Sequence, residues 1–415
     1  NEELILAGQD ISAGGLITAL LEMCFAGDVG AKIDLQDVSS KEGLIRFIFS
    51  EQPGVVIQVS SDQAESIVKR FELNRVPARI LGEIGGTNIE MKAGELSFIR
   101  EINVLRRAWF FPSFHFDQRQ TAKSCALDRF STLDHRAMSF RFPANYNGSL
   151  ESFGLSLGKR GRSGAKAAII REQGTNGDRE LAYTIYLAGF DVREVTMSDI
   201  TSGRESLEDI NFALFPGGFA NSDVLGAGKG WGGVFKYNDR AKKVIERFYG
   251  RNDTLSMGIC NGCQLVVAMD VLYPDRAESK QPRMLRNISG RFESTFLSVT
   301  VQQTNSVFLK DLVGTKLGIW VAHGEGRFSL PGDREEFNIP IVYSSSRYPM
   351  CPNGADFSAA AISSLDGRHL AIMPHLERSI FPWQWGYYPY DLRDKHQVSP
   401  WMTSFVAAKD WLLSR

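Results

Sequence analysis

Residues 254–270, TLSMGICNGCQLVVAMD, decide how the rest of the chain is read. The apolar strand TLSMGI runs straight into Cys260, and a helical apolar pattern begins within a residue or two of it. A turn that sharp lifts its apex side chain above the C-terminal edge of a sheet. It also sets the sulfur beside a positive helix N-terminus and leaves a backbone N–H free for an oxyanion. Gly258 and Gly262 flank Cys260 in the pattern G-x-C-x-G-x-Q, where small residues permit the tight turn and close approach of a substrate. This is a nucleophile elbow with cysteine in the active position, and the helix N-terminus favours its thiolate form. Two rivals stand beside it: a C-x-x-C redox or metal motif made by Cys260 and Cys263, and an inert buried cysteine pair. A structural zinc site needs about four ligands, yet the sequence has no second C-x-x-C and no H-x-x-x-H-type pair. A thioredoxin-like motif belongs early in its domain, not after three earlier strands.

Outward from the elbow, AKAAII (165–170), DVREVTM (191–197) and NFALF (211–215) read as strands, and DRELAYTIYLAG (178–189) and NDRAKKVIERFYG (238–250) as helices ending in glycine. FLSVTVQ, LGIWVAH and HLAIMPH are further strands downstream. Strands separated by such helices imply right-handed βαβ crossovers, so the predicted class is α/β with a mainly parallel sheet flanked by helices.

A thiolate that forms an acyl-enzyme needs a base, and the base needs an orienting group. In HLAIMPHLER, His375 ends an apolar strand and Glu377 follows two residues later; in extended chain the two point the same way, so the carboxylate can fix the imidazole tautomer. His323, in VAHGEGR, also ends a strand and suits substrate contact or a satisfied structural role. His115, His135, His369 and His396 read as linker, surface or loop residues. The strand NFALF ends in Pro216-Gly217-Gly218, whose backbone N–H groups can face an oxyanion together with that of Asn261. DVLGAGKGWGG (223–233) fails as a P-loop, because Gly230 follows Lys229 and Asp223 takes the place of the first glycine, and reads as a loop at the mouth of the cleft. The Trp-rich IFPWQWGYYPYD reads as packing.

Three regions follow: 1–105, a compact α+β unit; 106–163, aromatic and Arg-rich; and 164–415, the elbow domain. From Arg100 to Lys166 there are twelve Lys or Arg against five Asp or Glu. That excess is either an anion-facing surface or, as the plainer reading, a connecting segment docked by its aromatic residues, with SLGKRGRSG as a joint. Over the whole chain 47 basic residues balance 48 acidic ones, so nothing overall favours nucleic acid or an anionic membrane. No apolar run approaches the roughly 20 residues that span a bilayer. Five scattered cysteines suit a reducing compartment, and a soluble cytoplasmic protein is expected. The start at Asn1 suggests a fragment.

PGGF, then G-x-C-x-G-x-Q, then P-H-x-E resemble in order and spacing the class I (triad) glutamine amidotransferases. REQGTNGDRE, FPGGFANSDVLGAG, GICNGCQL, VAHGEGRF and PHLERSIFPW resemble more narrowly the glutaminase end of the large single-chain phosphoribosylformylglycinamidine synthases, over about 164–415. The resemblance implies a flavodoxin-like class I glutaminase fold. It makes Cys260 the nucleophile toward the glutamine amide, His375 base and acid, and Glu377 its orienter. Gly218 and Asn261 then form the oxyanion hole, and Gly217, Gln264 and His323 contact glutamine. Leu376 stands where the family usually has Pro. GQDISAGGLITALLEMCFAGDVG resembles the last nucleotide-handling subdomain of the same synthases, which implies Asp10 as a Mg²⁺ ligand and Ser12 as an ATP contact, with Ala13 in place of the family's second Asp. The implied partners are glutamine, ATP with Mg²⁺, and formylglycinamide ribonucleotide through a portion preceding Asn1, in an ATP-dependent ligase reaction of purine biosynthesis. The other functional classes kept open are a Cys-elbow hydrolase or peptidase of similar fold, which would turn over peptides or esters, and the C-x-x-C redox module.

Overall fold

A computed structural model describes residues 4–35, 38, 40–134, 138–158 and 161–415. His135, and Lys159 and Arg160 of the expected joint, lie outside the described residues. The chain divides into two units, residues 1–136 and 137–415.

In the first unit, β1 (Ala7–Asp10) leads into α1 (Gly15–Gly27), β2 (Ala31–Asp34), α2 (Lys41–Ile48) and β3 (Val55–Gln58). These are followed by α3 (Ala64–Leu73), β4 (Gly82–Ile84), β5 (Asn88–Ala93) and β6 (Leu96–Glu101). β1 and β3 form an antiparallel pair, and β4-β2-β5-β6 form a second sheet. Leu16, Ala19, Leu20 and Cys24 of α1 share a core with Ile33, Ile89 and Met91, which is the i, i+3, i+4 stripe of a helix meeting the period-two faces of strands. The unit continues past 105 through α4 (Ile102–Gln120) and α5 (Lys123–Ser131). Phe114 stacks on Phe130 at 4.6 Å, and buried Arg106 pairs with Asp28 at 2.8 Å. Trp109, Phe111 and Phe116 stay exposed on the same helix, so its apolar residues run all round and hide the 3.6 period.

Residues 138–158 sit in the second unit. Arg141 and Lys316 exchange backbone hydrogen bonds at 2.8 and 2.9 Å, Tyr146 Oη donates to the Val398 carbonyl at 2.7 Å, and Phe140 packs edge-on to Trp385 at 5.1 Å. The stretch 106–163, expected as one connecting segment, therefore splits between the units.

The second unit is built on nine strands: β7 (Lys166–Arg171), β8 (Asp191–Thr196), β9 (Phe212–Phe215), β10 (Leu255–Ile259), β12 (Glu293–Val301), β13 (Lys316–His323), β15 (Asn338–Tyr343), β16 (Ala359–Ser363) and β17 (His369–Ile372). β11 (Arg283–Leu285) and β14 (Arg327–Ser329) form a separate antiparallel pair. The order is β13-β12-β15-β16-β17-β10-β9-β7-β8, parallel from β17 to β8 and antiparallel from β13 to β17. Around it lie α6 (Asp178–Leu187), α7 (Met197–Ser202), α8 (Lys229–Tyr237), α9 (Asp239–Gly250), α10 (Asn261–Ala268), α11 (Tyr390–Arg393) and α12 (Met402–Leu413). The α/β class holds. The parallel half reads 2-1-3-4-5 in its own order, the doubly wound arrangement that opens a crevice at the carboxyl ends of its strands.

β9 and β10 are buried along their whole length, as central parallel strands covered on both faces must be. The expected loop at 223–233 is half helix: α8 begins at Lys229 and buries Trp231 and Phe235 against the sheet. His369, expected on a loop or surface, is buried in β17, where Ser256 Oγ lies 3.0 Å from its Nδ1. Burial pushes its pKa down to about 3. Among the described residues no helix is long and apolar enough to cross a membrane.

Candidate active site

β10 ends at Ile259 and α10 begins at Asn261, so the whole turn is Cys260, with φ 52° and ψ −106°. That is strained backbone for a residue with a Cβ, a cost of roughly 1–3 kcal/mol that the surroundings must cover. Three contacts hold it: Cys260 N–H donates to the Ile372 carbonyl at 2.9 Å, Gln264 N–H donates to the Cys260 carbonyl at 3.0 Å, and Sγ reaches the Ala322 carbonyl at 3.3 Å. Gly262 explains why the motif needs a small residue, because a Cβ there would stand 1.9 Å from the Phe215 carbonyl oxygen. α10 can thus begin directly on top of β9.

His375 follows β17 beyond its last strand residue. Its N–H donates to the Trp320 carbonyl at 2.9 Å, and Ser379 Oγ donates to the His375 carbonyl at 3.0 Å. Glu377 Oε1 lies 2.6 Å from His375 Nδ1, with both side chains buried. The pair meets across a turn, not along the extended strand expected from sequence. Leu376 between them is fully buried. Burial pulls the imidazole pKa down, but the Glu377 carboxylate and the neighbouring Cys260 outweigh it and lift it to about 10, with Cys260 within side-chain hydrogen-bonding reach. Gly217 lies between the two groups: a Cβ there would be 2.9 Å from His375 Cε1 and 3.4 Å from Cys260 Cβ.

Beside Cys260 opens a cavity of about 130 Å³ lined by Gly218, Phe219, Asp223, Gln264, His323 and Glu325, among others. Gly218 N–H and the first-turn N–H of Asn261 have no acceptor among the described residues; Thr175 and Gly218 are paired through their neighbours, Phe219 N–H to Gly174 and Asn176 N–H to Gly217. Gln264 does not point freely into the space, since its Nε2 donates to the Glu325 carbonyl at 2.8 Å and its Oε1 accepts from Asn261 Nδ2 at 2.9 Å. It therefore ties the 323–326 turn to α10. His323 is 2% exposed, and neither ring nitrogen has a hydrogen-bond partner. Burial drives its pKa down to about 3, so it is neutral.

The structure thus brings Cys260, His375, Glu377, Gly217, Gly218, Asn261, Gln264 and His323 together. Asp10 and Ser12 belong to the other unit, at the end of β1 and in the loop before α1, both exposed. Among the described residues no group of three or more His, Cys, Asp or Glu is placed to hold a metal ion. Nearby, Gly14 N–H donates to Glu51 Oε1 at 2.9 Å and Gln9 Nε2 to Glu22 Oε2 at 2.8 Å. Asp10 belongs to no such group among the described residues, so this donor set does not by itself fit Mg²⁺, which takes six oxygens in near-octahedral geometry.

Sequence reasoning missed the side chain of Asn261, which accepts from Ala220 N–H at 2.9 Å and donates to Asp223 Oδ1 at 3.1 Å, latching the 217–223 loop to the elbow. It also missed Asn287, which accepts from Gly326 N–H at 3.0 Å and donates to the His323 carbonyl at 2.7 Å. Nothing local in sequence marks either. The Cys263 thiol is fully buried, and burial raises its pKa well above the ordinary value.

Residues 164–412 match the family described as CobB/CobQ-like glutamine amidotransferase domain, and residues 1–92 match the AIR synthase related protein C-terminal domain. The chain is 36% identical to a probable phosphoribosylformylglycinamidine synthase, chloroplastic/mitochondrial, of Arabidopsis thaliana, over 100% of this chain and 30% of that protein. It is 34% identical to the phosphoribosylformylglycinamidine synthase of Dictyostelium discoideum, over 99% and 33%, and 34% identical to that of Homo sapiens, over 99% and 32%. The chain spans about a third of the length of these relatives. With the match running over most of the unit that carries the Cys260 elbow, the chain belongs to the CobB/CobQ-like glutamine amidotransferase domain family.

Proposed function

We propose that residues 137–415 hydrolyse glutamine to glutamate and ammonia through Cys260, His375 and Glu377, as the glutaminase part of a phosphoribosylformylglycinamidine synthase. The observation that carries this is one constellation: a cysteine on a strained strand-to-helix turn, a buried imidazole within reach of it, and a carboxylate 2.6 Å behind that imidazole. The Cys260 thiolate attacks the side-chain amide carbon, forming a C–S bond while the carbonyl electrons move onto oxygen. Gly218 N–H and Asn261 N–H face that oxyanion. The His375 imidazolium gives its proton to the departing nitrogen, ammonia leaves, and a thioester remains. Neutral His375 then takes a proton from water as the water attacks the thioester, and glutamate departs with Cys260 restored. Glu377 keeps the imidazole in one tautomer and stabilises its charged form. The cavity of about 130 Å³ is well below the roughly 300 Å³ at which drug-sized sites begin, which favours a single amino acid over the peptide or ester of a general hydrolase.

The use of the ammonia, in ATP-dependent conversion of formylglycinamide ribonucleotide to formylglycinamidine ribonucleotide, is the role that the relatives' names and the 1–92 match support for the longer protein. No step above runs through ATP or Mg²⁺. The chain alone is expected to release glutamate slowly and to make no amidine. The test is labelling with a glutamine-analogue diazoketone followed by peptide mass spectrometry. Modification at Cys260, and loss of glutamine hydrolysis in Cys260→Ala, are expected; modification at Cys263 instead overturns the assignment.

A further inference from the structure

The loop between β7 and α6, residues 172–177, carries none of the chemistry assigned above, yet it touches two parts of the catalytic apparatus. On one side its backbone pairs with the segment that follows β9. Asn176 N–H donates to the Gly217 carbonyl at 3.0 Å, Phe219 N–H to the Gly174 carbonyl at 2.9 Å and Asn221 N–H to the Gln173 carbonyl at 2.8 Å, with Thr175 bridged to Gly218. The two segments approach so closely that both need glycine. A Cβ on Gly174, whose φ is 97°, would stand 2.2 Å from the Phe219 carbonyl oxygen, and one on Gly218, with φ 139°, would stand 2.6 Å from the Gly174 carbonyl oxygen.

On its other side the loop covers the catalytic carboxylate. A Cβ on Gly177 would lie 3.5 Å from Glu377 Oε1 and 3.7 Å from Arg378 Nη2. Glu377 is 1% exposed, and its Oε2 has no hydrogen-bond partner among the described residues, so the carboxylate is held by its bond to His375 Nδ1 and by the charge behind it. That charge is Arg378, whose Nε lies 3.8 Å from Glu377 Oε1 and 3.5 Å from Glu180 Oε1. Neither contact is a hydrogen bond, since Nε is buried without a partner of that kind. Among the described residues the guanidinium makes one hydrogen bond, from Nη2 to Asn176 Oδ1 at 3.1 Å. Asn176 therefore holds the oxyanion segment with its backbone and the cation behind Glu377 with its side chain.

Resting on the glutaminase reading, we propose that Asn176 and Arg378 are positioning residues of the reaction, forming one brace that sets Glu377, and through it the His375 imidazole, against the Gly217–Gly218 oxyanion segment. Neither residue lines the cavity beside Cys260, so both act through the groups they hold. A carboxylate with a single bond can swing about its side-chain torsions and take the imidazole with it, whereas a guanidinium fixed behind it limits that swing. A misplacement near 1 Å between base and oxyanion donors costs about 100-fold in rate. Substrate binding rests on other groups, so the loss falls on kcat and not on KM.

The test measures glutamine hydrolysis by the whole chain in Asn176→Ala, Asn176→Asp, Arg378→Gln and the double variant Asn176→Ala/Arg378→Gln. Asn176→Ala and Arg378→Gln are each expected to lower kcat by about tenfold with KM within about twofold of wild type, and Asn176→Asp, which keeps the acceptor oxygen, to stay within about threefold in kcat. Because the two residues act as one brace, the double variant should be slower than the slower single variant by no more than about twofold, where independent effects would multiply to about 100-fold. Proton NMR supplies a readout that general loosening would not move. The downfield signal of the His375 Nδ1 proton, which faces Glu377 at 2.6 Å, should shift in Asn176→Ala and Arg378→Gln and return in Asn176→Asp. Losses that multiply, a loss carried by KM, no recovery in Asn176→Asp, or an unmoved proton signal each overturn the proposal. If Arg378→Gln fails to fold, Arg378→Lys, which keeps the charge but loses the guanidinium's reach to Asn176, takes its place in the same cycle. A wild-type chain without glutamine hydrolysis overturns the glutaminase reading and the brace with it, whereas an active wild type with unchanged kcat in the single variants overturns the brace alone.

Discussion

Gly217→Ala is the most direct test of the way His375 and Cys260 are held together. The added methyl would stand 2.9 Å from His375 Cε1 and 3.4 Å from Cys260 Cβ. Carbon atoms rest at about 3.5–4.0 Å, so the imidazole must retreat by roughly 0.6 Å or more. It cannot turn freely, since Glu377 holds Nδ1 at 2.6 Å and the His375 N–H is fixed to Trp320 at 2.9 Å. The backbone itself accepts the change, because Gly217 is not among the glycines with positive φ. Overpacking by one methyl costs about 1–3 kcal/mol, and for a unit of this size each kcal/mol shifts Tm by about 2–4 °C. Catalysis should suffer more than the fold, since a misplacement near 1 Å costs about 100-fold. The expected result is a kcat for glutamine hydrolysis lower by about tenfold to 100-fold, with cooperative thermal unfolding retained. Glutamate release coupled to glutamate dehydrogenase measures the first quantity, and circular dichroism on heating the second. A kcat within twofold of wild type in the folded variant would refute the claim that Gly217 sets the spacing of the pair.

Two further outcomes follow from the same geometry. In Glu377→Gln the largest group raising the His375 pKa from 6.5 to about 10 is gone, so the pKa falls back from that value. The imidazolium stabilises the wild-type fold in full below the ordinary value near 6.5, and this contribution is lost as pH rises through about 10. Urea unfolding between these limits should show stability falling with pH in wild type and a flatter profile in the variant; parallel profiles would contradict the assignment. Gly262→Ala places a Cβ 1.9 Å from the Phe215 carbonyl oxygen, where only backbone movement of β9 or α10 makes room. It should lower Tm by more than about 5 °C, and a normal Tm would show that the elbow is looser than described.

The sheet was legible because its central strands are apolar runs punctuated by glycine and by helix caps, signals that lie within one element. The same holds for Cys260: a strand that stops at Ile259 and a helix that starts at Asn261 leave a single residue for the turn, and Gly258 and Gly262 mark its crowding. Spacing singled out His375 and Glu377, and the two side chains do meet at 2.6 Å, although across a turn and not along the extended chain from which the pairing was argued. The helices at 102–131 were hidden because Trp109, Phe111 and Phe116 remain exposed while Phe114 is buried, so no single apolar face exists to betray a period. His369 was misplaced for the opposite reason: nothing in HLAIMPH distinguishes a buried histidine paired to Ser256 from one at a strand's exposed start.

What sequence could not show is how the strand ends become one site. Cys260 follows β10, Gly217 and Gly218 follow β9, His323 ends β13 and His375 follows β17, so the chemistry comes from four segments whose order in the sheet is not their order in the chain. Asn261, Gln264 and Asn287 do the joining, through short bonds to residues 41, 61 and 36 positions away at Ala220, Glu325 and His323. An asparagine beside a nucleophile reads in sequence as a cap or a turn former, because its partners lie on other strands. In the fold these amides tie together the loops that carry Asp223, His323 and Glu325. Losing such a tether should therefore act first on substrate selection, by moving the cavity walls, and only then on the chemistry at Cys260, whose own backbone is fixed separately by Ile372.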